Sequence, residues 1–212
     1  MMYLPLPQEP IALFVYFVSV LVALCVVAIL GAVLLNFLTA RVTGEVAERR
    51  NSPVATGSMM GFFIGYYLLI HQQVGNVQLP DPHWYIACAL VGLPAVLLGT
   101  VVNIQGRLRL GKNWANQATI YQEQTLVQEG VYRWVRHPLY ASLIWIFLGA
   151  AVVYHNWAAL LATLLIFIPM MRYRAGLEEK LLLERFPEYA EYQQNVGQFF
   201  PKLRQRRSYD QL

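Results

Sequence analysis

Four long stretches of this 212-residue chain contain no Asp, Glu, Lys or Arg: residues 10–40, 51–80, 82–106 and 137–171. A membrane-spanning helix needs about 20 consecutive, mostly apolar residues. Only 13% of the side chains are charged, whereas a soluble domain carries about a quarter. The sequence therefore predicts an all-α integral membrane protein and argues against a water-soluble enzyme.

The charged residues predict how the chain crosses the membrane. All 16 Lys and Arg fall within three blocks, at 41–50, 107–136 and 172–207. Because Lys and Arg collect in cytoplasmic loops, we expect the three blocks to share the cytoplasmic side. This arrangement gives five transmembrane helices, with the N-terminus outside and the C-terminus in the cytoplasm.

Residues 1–106 are expected to form three amino-terminal transmembrane helices, at about 11–38, 54–71 and 84–103. The second helix carries Gly57, Gly61 and Gly65 at a spacing of four. Small residues at this spacing let two helices approach closely in lipid. We expect the stripe to pack within the monomer, with a dimer contact as the alternative.

The uncharged stretch 137–171 is too long for one crossing and slightly short for two. A single helix would place Arg136 and Arg172 on opposite sides of the membrane, against the charge rule. We therefore predict a helical hairpin over 139–171 that turns at 154–157. A cytoplasmic helix at 173–186 follows, and Pro187 opens a second short helix that ends before Pro201.

The whole chain, 1–212, is predicted to be a single membrane domain, with its polar core in 107–212. The hairpin brings together two clusters of polar residues, at 117–140 and 172–179. Proline is common in the first turn of a helix, so His137, which precedes Pro138, lies at a helix start beside the membrane boundary. Its aromatic surroundings suit the wall of a pocket.

The neighbours of His137 have a simpler interpretation. Arg133, Trp134 and Arg136 are expected to anchor the chain at the level of the lipid headgroups. The basic tail after Pro201 is also expected near anionic headgroups, and we do not expect nucleic-acid binding. Two cysteines inside apolar stretches, Cys25 and Cys88, are expected to serve packing alone.

Arg174 and Glu178 are four residues apart and share one helix face. They form either an intrahelical ion pair or a functional pair. In the second case the carboxylate suits a hydroxylated or cationic cofactor, and the guanidinium suits an anionic substrate. A metal site is not expected, because the other three histidines, His71, His83 and His155, belong to the opposite membrane face in this topology.

These residues resemble those of the isoprenylcysteine carboxyl methyltransferase family, whose members are integral membrane enzymes that use S-adenosylmethionine. The similarity covers about 117–201. It includes Gln-Thr-Leu-Val at 124–127, Gly-Val-Tyr-Arg-Trp-Val-Arg-His-Pro-Leu-Tyr at 130–140 and Arg-xxx-Glu-Glu at 174–179. It continues with three aromatic residues at a spacing of three, Phe186, Tyr189 and Tyr192, before Pro201.

The resemblance implies S-adenosylmethionine as cofactor and a role for each matching residue. Arg174 would bind the substrate carboxylate and, with Glu178, form the catalytic pair. The implied cofactor-binding residues are Gln117, Gln124, Thr125, Leu126, Val127, Tyr132, His137, Pro138, Leu139, Tyr140 and Glu178. Related phospholipid N-methyltransferases share this region, so the resemblance indicates the cofactor more firmly than the acceptor.

Methyl transfer is compatible with the residues present, since attack on an activated methyl group needs positioning and exclusion of water more than a nucleophile from the protein. The leading hypothesis is methylation of a lipidic or prenylated acceptor, most simply an isoprenylcysteine carboxylate. Methylation of a phospholipid or another small lipid comes second. Two further alternatives are an NADPH-dependent membrane reductase and a non-catalytic membrane subunit. The reductase would bind NADPH, and the subunit would bind neither cofactor. The oligomeric state cannot be predicted.

Overall fold

The computed structural model describes residues 10–40, 46–50, 53–81, 83–111, 118–121 and 125–202. Helices dominate these residues, as the sequence predicts. The helices are α1 (Pro10–Ala40), α2 (Pro53–His71), α3 (His83–Leu110), α4 (Pro138–Val153), α5 (Trp157–Ala162), α6 (Ile168–Arg185) and α7 (Tyr189–Asn195).

Three of the described helices are long and apolar enough to cross a bilayer: Pro10–Asn36, His83–Leu110 and the continuous arm Trp157–Arg185. Two shorter apolar helices accompany them, at Gly57–His71 and Pro138–Val153. The prediction of an all-α integral membrane protein is confirmed. The exact number of crossings and the division at residue 106 stay predictions.

A pair of short strands joins the polar ends of the helices, and the sequence analysis did not foresee it. Strand β1 (Val46–Arg50) follows α1 and pairs antiparallel with β2 (Ala118–Tyr121), which follows α3. Helix α6 packs against β2. The described parts of the three basic blocks therefore meet at one end of the bundle, whereas the side of the membrane stays a prediction.

The predicted hairpin is present, and Asn156 in its turn forms hydrogen bonds with the end of α2 and the connection that follows it. The Asn156 amide nitrogen donates to the carbonyls of Leu69 and Val74, at 3.3 and 2.9 Å, and to Asn76 Oδ1 at 2.6 Å. Its Oδ1 accepts from the backbone nitrogen of Ala159 at 2.8 Å, which caps the returning helix. This network joins the α2–α3 connection to the hairpin turn at the end opposite the strands.

The second arm of the hairpin contains a short π-helical segment between two α-helical segments. A π-helical turn at Thr163–Phe167 separates α5 from α6. Pro169 follows, and a proline within a helix has no N–H to donate and crowds the carbonyl four residues earlier, here that of Leu165. The wider turn accommodates this defect, and it sets the helix face on which Arg174 and Glu178 lie.

Glycines on α3 form the closest helix contact. A Cβ atom at Gly92 would lie 2.4 Å from the Gly149 carbonyl oxygen of α4. A Cβ at Gly99 would lie 2.8 Å from the Ser142 carbonyl oxygen, and one at Gly106 would lie 3.0 Å from Leu139 Cδ2. These positions recur every seven residues and let α3 and α4 approach backbone to backbone.

The expected packing role of the Gly57, Gly61 and Gly65 stripe within the monomer is wrong. A Cβ at any of these three glycines would meet no atom of the described residues within 4 Å. Helix α2 instead packs through aromatic side chains, with Phe62 stacked on Phe167 at a centroid distance of 4.6 Å. Small residues permit a close approach but do not select which helix makes it.

This difference between the two glycine sets predicts different responses to alanine. Gly92→Ala forces a methyl group into the backbone of α4, and overpacking of this kind costs about 1–3 kcal/mol. For a chain of this size, that corresponds to a fall of about 2–12 °C in Tm. Gly61→Ala is the matched control and should leave the Tm in detergent almost unchanged. Equal shifts for both variants would contradict the α3–α4 contact described here.

Candidate active site

The site begins in the loop that precedes α4. Gly130, with φ +61°, opens a short 3₁₀ turn at Gly130–Arg133, a conformation that glycine adopts without strain. The backbone nitrogens of Arg136 and His137 donate to the carbonyls of Gly197 and Gln198, at 2.8 and 3.1 Å. The segment after α7 is thus tied alongside the site.

His137 is buried between two carboxylates. It immediately precedes Pro138, which disfavours helical backbone at that position, so its ring extends from the start of α4 toward α6. Nε2 lies 3.0 Å from Glu179 Oε1, and Nδ1 lies 3.5 Å from Glu178 Oε2. Burial lowers the pKa of His137, but hydrogen bonds and charge interactions with both glutamates outweigh it, so the pKa is raised above its usual value. The ring is best described as an imidazolium that bridges the two carboxylates.

The contacts of His137 with Glu178 and Glu179 predict a pH-dependent contribution to the stability of the fold. Because the pKa of His137 is higher in the folded than in the unfolded protein, its stabilisation is fully present below about pH 6.5 and is lost as the pH rises through the folded value. The Tm difference between wild type and His137→Gln should therefore shrink as the pH rises above about 6.5. His83→Gln, which alters an exposed histidine at the other end of the molecule, serves as the control. A difference that grows with pH would contradict the imidazolium.

Glu179 is fully engaged by the protein itself. Arg136 donates to Glu179 Oε1 from Nε at 3.0 Å and from Nη2 at 2.9 Å. Gln193 donates to Oε2 at 2.9 Å, and Gln198 donates to Oε1 at 3.3 Å. The Arg136 guanidinium also donates to the backbone carbonyls of Gln193 and Val196. Glu179 therefore joins α6, the His137 loop and the C-terminal segment, and it serves the structure of the site.

Glu178 differs from its neighbour in exposure and partners. Its side chain is 27% exposed, against 9% for Glu179. Its Oε1 accepts a hydrogen bond from the Tyr140 hydroxyl. The Tyr140 ring stacks on His137, with centroids 5.7 Å apart, and the Arg174 guanidinium carbon lies 5.9 Å from the Tyr140 centroid. The structure thus places a carboxylate, an aromatic face and a guanidinium side by side, with Glu178 the more accessible glutamate.

Buried polar side chains of α3, α4 and the Gly130–Arg133 turn form hydrogen bonds next to the site. Asn103 is fully buried and donates to Ser142 Oγ at 2.8 Å, and it accepts from Arg107 Nε at 2.9 Å. Tyr132 is buried, its hydroxyl lies 3.4 Å from the Gly106 carbonyl, and its own carbonyl accepts from the Tyr192 hydroxyl. Burial raises the pKa of Tyr132 above its usual range, so it remains a neutral phenol.

The structure brings some of the sequence-predicted residues together. His137, Tyr140, Arg174 and Glu178 form one cluster, and Pro138 and Leu139 pack on Gly106. Thr125, Leu126 and Val127 lie in the extended segment that leads to the Gly130 turn. Gln117 and Gln124 lie outside the described residues. The cofactor and substrate roles of all these residues stay predictions.

The expected headgroup role of Arg136 is wrong. Its side chain is only 7% exposed because Glu179 binds it within the fold. Arg133 and Trp134 are exposed, so their expected role stays a prediction. Sequence reasoning also missed the roles of Glu179, Gln193 and Gln198, although the second Glu of the Glu178-Glu179 pair was the available signal. Within the described part of the chain, no group of three or more His, Cys, Asp or Glu could hold a metal ion.

Comparison with known proteins gives a consistent result. The family model described as phospholipid methyltransferase matches residues 87–189. A protein-S-isoprenylcysteine O-methyltransferase from Tribolium castaneum is 30% identical over 150 residues, covering 69% of this chain and 50% of that protein. The Saccharomyces cerevisiae protein of the same name is 30% identical over 117 residues, covering 54% of this chain and 49% of that protein.

A solved structure shares the fold. It is that of the eukaryotic intramembrane Ras methyltransferase ICMT (isoprenylcysteine carboxyl methyltransferase), with a TM-score of 0.51 and 25% identity. The resemblance to the isoprenylcysteine carboxyl methyltransferase family is confirmed. The match covers 72% of this chain and 53% of the solved one, and the chain spans about half the length of the two curated relatives. The similarity reaches beyond the motif region into the helices that support it.

Proposed function

We propose that this chain is an S-adenosylmethionine-dependent membrane methyltransferase that acts on the carboxylate of an isoprenylcysteine-like acceptor. The observation that carries the proposal is the cluster of Glu178, Tyr140 and Arg174 at the polar end of the bundle. Two groups of opposite charge share one site there, as a cationic methyl donor and an anionic acceptor require. The names of the relatives support the same activity.

The residues present fit the cofactor. A sulfonium ion is attracted by a carboxylate and by aromatic faces, and Glu178 and Tyr140 offer both. A carboxylate also accepts hydrogen bonds from ribose hydroxyls. Glu178, Tyr140 and His137 would therefore hold S-adenosylmethionine together with the neighbouring residues of 124–127, 132, 138 and 139. When bound, the cofactor supplies a methyl group already activated by its positively charged sulfur.

Arg174 would hold and orient the acceptor. Its guanidinium can bind a carboxylate through two parallel hydrogen bonds. A carboxylate held in this way would have one oxygen directed toward the activated methyl group that the bound cofactor would supply. The acceptor is already ionised at neutral pH, so no general base is needed. The residues of the protein contribute orientation and exclusion of water.

The charge pattern supports an orientation with the N-terminus outside and with the C-terminus and active site in the cytoplasm. The apolar part of a lipidic or prenylated acceptor would remain in the bilayer while its carboxylate reaches the polar end. Membrane lipids are the other expected partners. An apolar surface for the lipidic part of the acceptor lies close to Arg174 in the chain, since the arm Trp157–Arg185 is apolar up to Met171.

Phospholipid or small-lipid methylation is the second candidate, favoured by the description of the matching family model. It would use the same cofactor and a different acceptor. An NADPH-dependent reductase is less well supported, because relatives carry the methyltransferase name and the phospholipid methyltransferase family model matches residues 87–189, which include the site. A screen of prenylcysteine analogues against phosphatidylethanolamine separates the two methyltransferase candidates.

Arg174→Gln is expected to impair acceptor binding more than cofactor binding. Loss of a charge-assisted hydrogen bond costs about 1.5–3 kcal/mol, so KM for a prenylcysteine acceptor should rise about 10- to 150-fold. The Kd of S-adenosylhomocysteine should change much less, and Arg174→Lys should restore part of the acceptor affinity. Arg172→Gln, an exposed arginine two residues earlier, is the matched control. An unchanged KM in Arg174→Gln would count against this role.

A further inference from the structure

A separate groove of about 690 Å³ lies beside the site, between the end of α3 and the turn at Gly130–Arg133. Its lining includes Leu108, Arg109, Arg133 and Trp134. None of the predicted cofactor residues that the structure describes lines it. Within the same short turn Tyr132 is buried, whereas the groove residues Arg133 and Trp134 are exposed.

The groove presents two guanidinium groups. Arg109 and Arg133 are both exposed, and within the described residues neither guanidinium group makes a hydrogen bond or an ion pair. Arg109 lies across Gly130, where a Cβ atom would be 3.1 Å from Arg109 Nε and 3.3 Å from its Cγ. Glu129 also lines the groove and contributes one negative charge. The groove therefore has a net positive charge and suits an anion.

The rim of the groove is apolar and lies at the boundary of the membrane. Leu108 is 76% exposed and Trp134 is 64% exposed. Helix α3 is a candidate span, and its first charged residue is Arg107, only one position before Leu108. Tryptophan is enriched where the bilayer meets water. An occupant thus meets positive charge and apolar surface together at the depth of the headgroups.

We propose that this groove is a binding site for an anionic phospholipid. Arg109 and Arg133 would contact the phosphate oxygens, since a guanidinium matches phosphate geometry with paired donors. Trp134 and Leu108 would contact the glycerol backbone and the upper acyl chains. This site is independent of the proposed methyl transfer, and it differs from general headgroup anchoring because two specific arginines bind one lipid.

The test is lipid binding to the detergent-solubilised full chain, measured by titration with dioleoyl phosphatidylglycerol, dioleoyl phosphatidylcholine or inorganic phosphate. Arg109→Gln and Arg133→Gln should each weaken phosphatidylglycerol binding about tenfold. Arg172→Gln removes an exposed charge of α6 that lies outside the groove, and it should change the affinity little. Phosphatidylcholine should bind wild type at least about tenfold more weakly, because its headgroup has no net charge.

Three results would overturn the proposal. An equal loss in Arg172→Gln would show diffuse attraction to the basic end of the bundle. Equal affinity for inorganic phosphate and phosphatidylglycerol would identify a small-anion site. Equal affinity for phosphatidylglycerol and phosphatidylcholine would show that the net charge of the lipid does not determine binding. Both groove arginines are exposed, so their replacement should leave the lipid-free Tm unchanged. Two separate variants keep the test decisive if one of them folds poorly.

Discussion

Glu179→Ala is expected to be the most destabilising single substitution in the site. The carboxylate accepts from Arg136, Gln193 and Gln198 and faces His137, and the side chains of the Arg136–Glu179 pair are both more than nine-tenths buried. Removing one partner of a buried ion pair costs about 3–5 kcal/mol because the other charge is left uncompensated. For a chain of this size the Tm in detergent should fall by about 6–20 °C.

Glu179→Gln separates charge from shape in this experiment. The amide keeps the volume but leaves Arg136 without its counter-charge, so most of the loss should remain. Glu188→Gln, an exposed carboxylate beside α7, is the matched control and should change the Tm little. If Glu179→Gln has the same Tm as the wild type, the carboxylate does not join α6 to the C-terminal segment in the way described.

Glu178→Gln is expected to behave differently: weak S-adenosylhomocysteine binding with a much smaller loss of Tm than Glu179→Gln shows. Glu178 is more exposed than Glu179, and its side chain makes polar contacts with Tyr140 and His137. Loss of a charge-assisted hydrogen bond to the cofactor should raise Kd about 10- to 150-fold. Calorimetric titration gives Kd, and thermal unfolding of the same sample gives the Tm.

The two adjacent glutamates thus form an internal comparison. Glu178→Gln should lose cofactor affinity and keep the fold, whereas Glu179→Gln should lose stability first. Unchanged S-adenosylhomocysteine affinity in a folded Glu178→Gln protein would contradict the division of roles between them. The Glu188→Gln control should retain both the affinity and the Tm.

The helices could be predicted from the sequence because the bilayer leaves few alternatives. A backbone in lipid must satisfy its own hydrogen bonds, so a long uncharged stretch is a helix. The positive-inside rule then resolved 137–171 into a hairpin with its turn beside Asn156. The rule applied because Arg136 and Arg172 end on the same side of the molecule.

Long-range contacts could not be predicted in the same way. The β1–β2 pair joins residues more than 60 positions apart in charged segments, where no local alternation identifies a strand. The sequence does not distinguish the seven-residue glycine spacing on α3, which forms a helix contact, from the four-residue spacing on α2, because spacing alone does not identify the partner helix.

The site was predictable in part. His137, Tyr140, Arg174 and Glu178 follow from a motif that resembles a known family, and the structure gathers them into one cluster. Motif spacing cannot distinguish Glu178 from Glu179, since consecutive residues on a helix point about 100° apart and their surroundings decide their roles. The C-terminal segment that engages Glu179 contributes Gln193 and Gln198, which carry no charge and drew no attention in the sequence.

Cofactor identity is the central claim, and one titration tests it most directly. Detergent-purified wild-type protein should bind S-adenosylhomocysteine with measurable heat and show no binding of NADPH under the same conditions. Binding of NADPH, or no binding of S-adenosylhomocysteine by folded protein, would contradict the methyltransferase account.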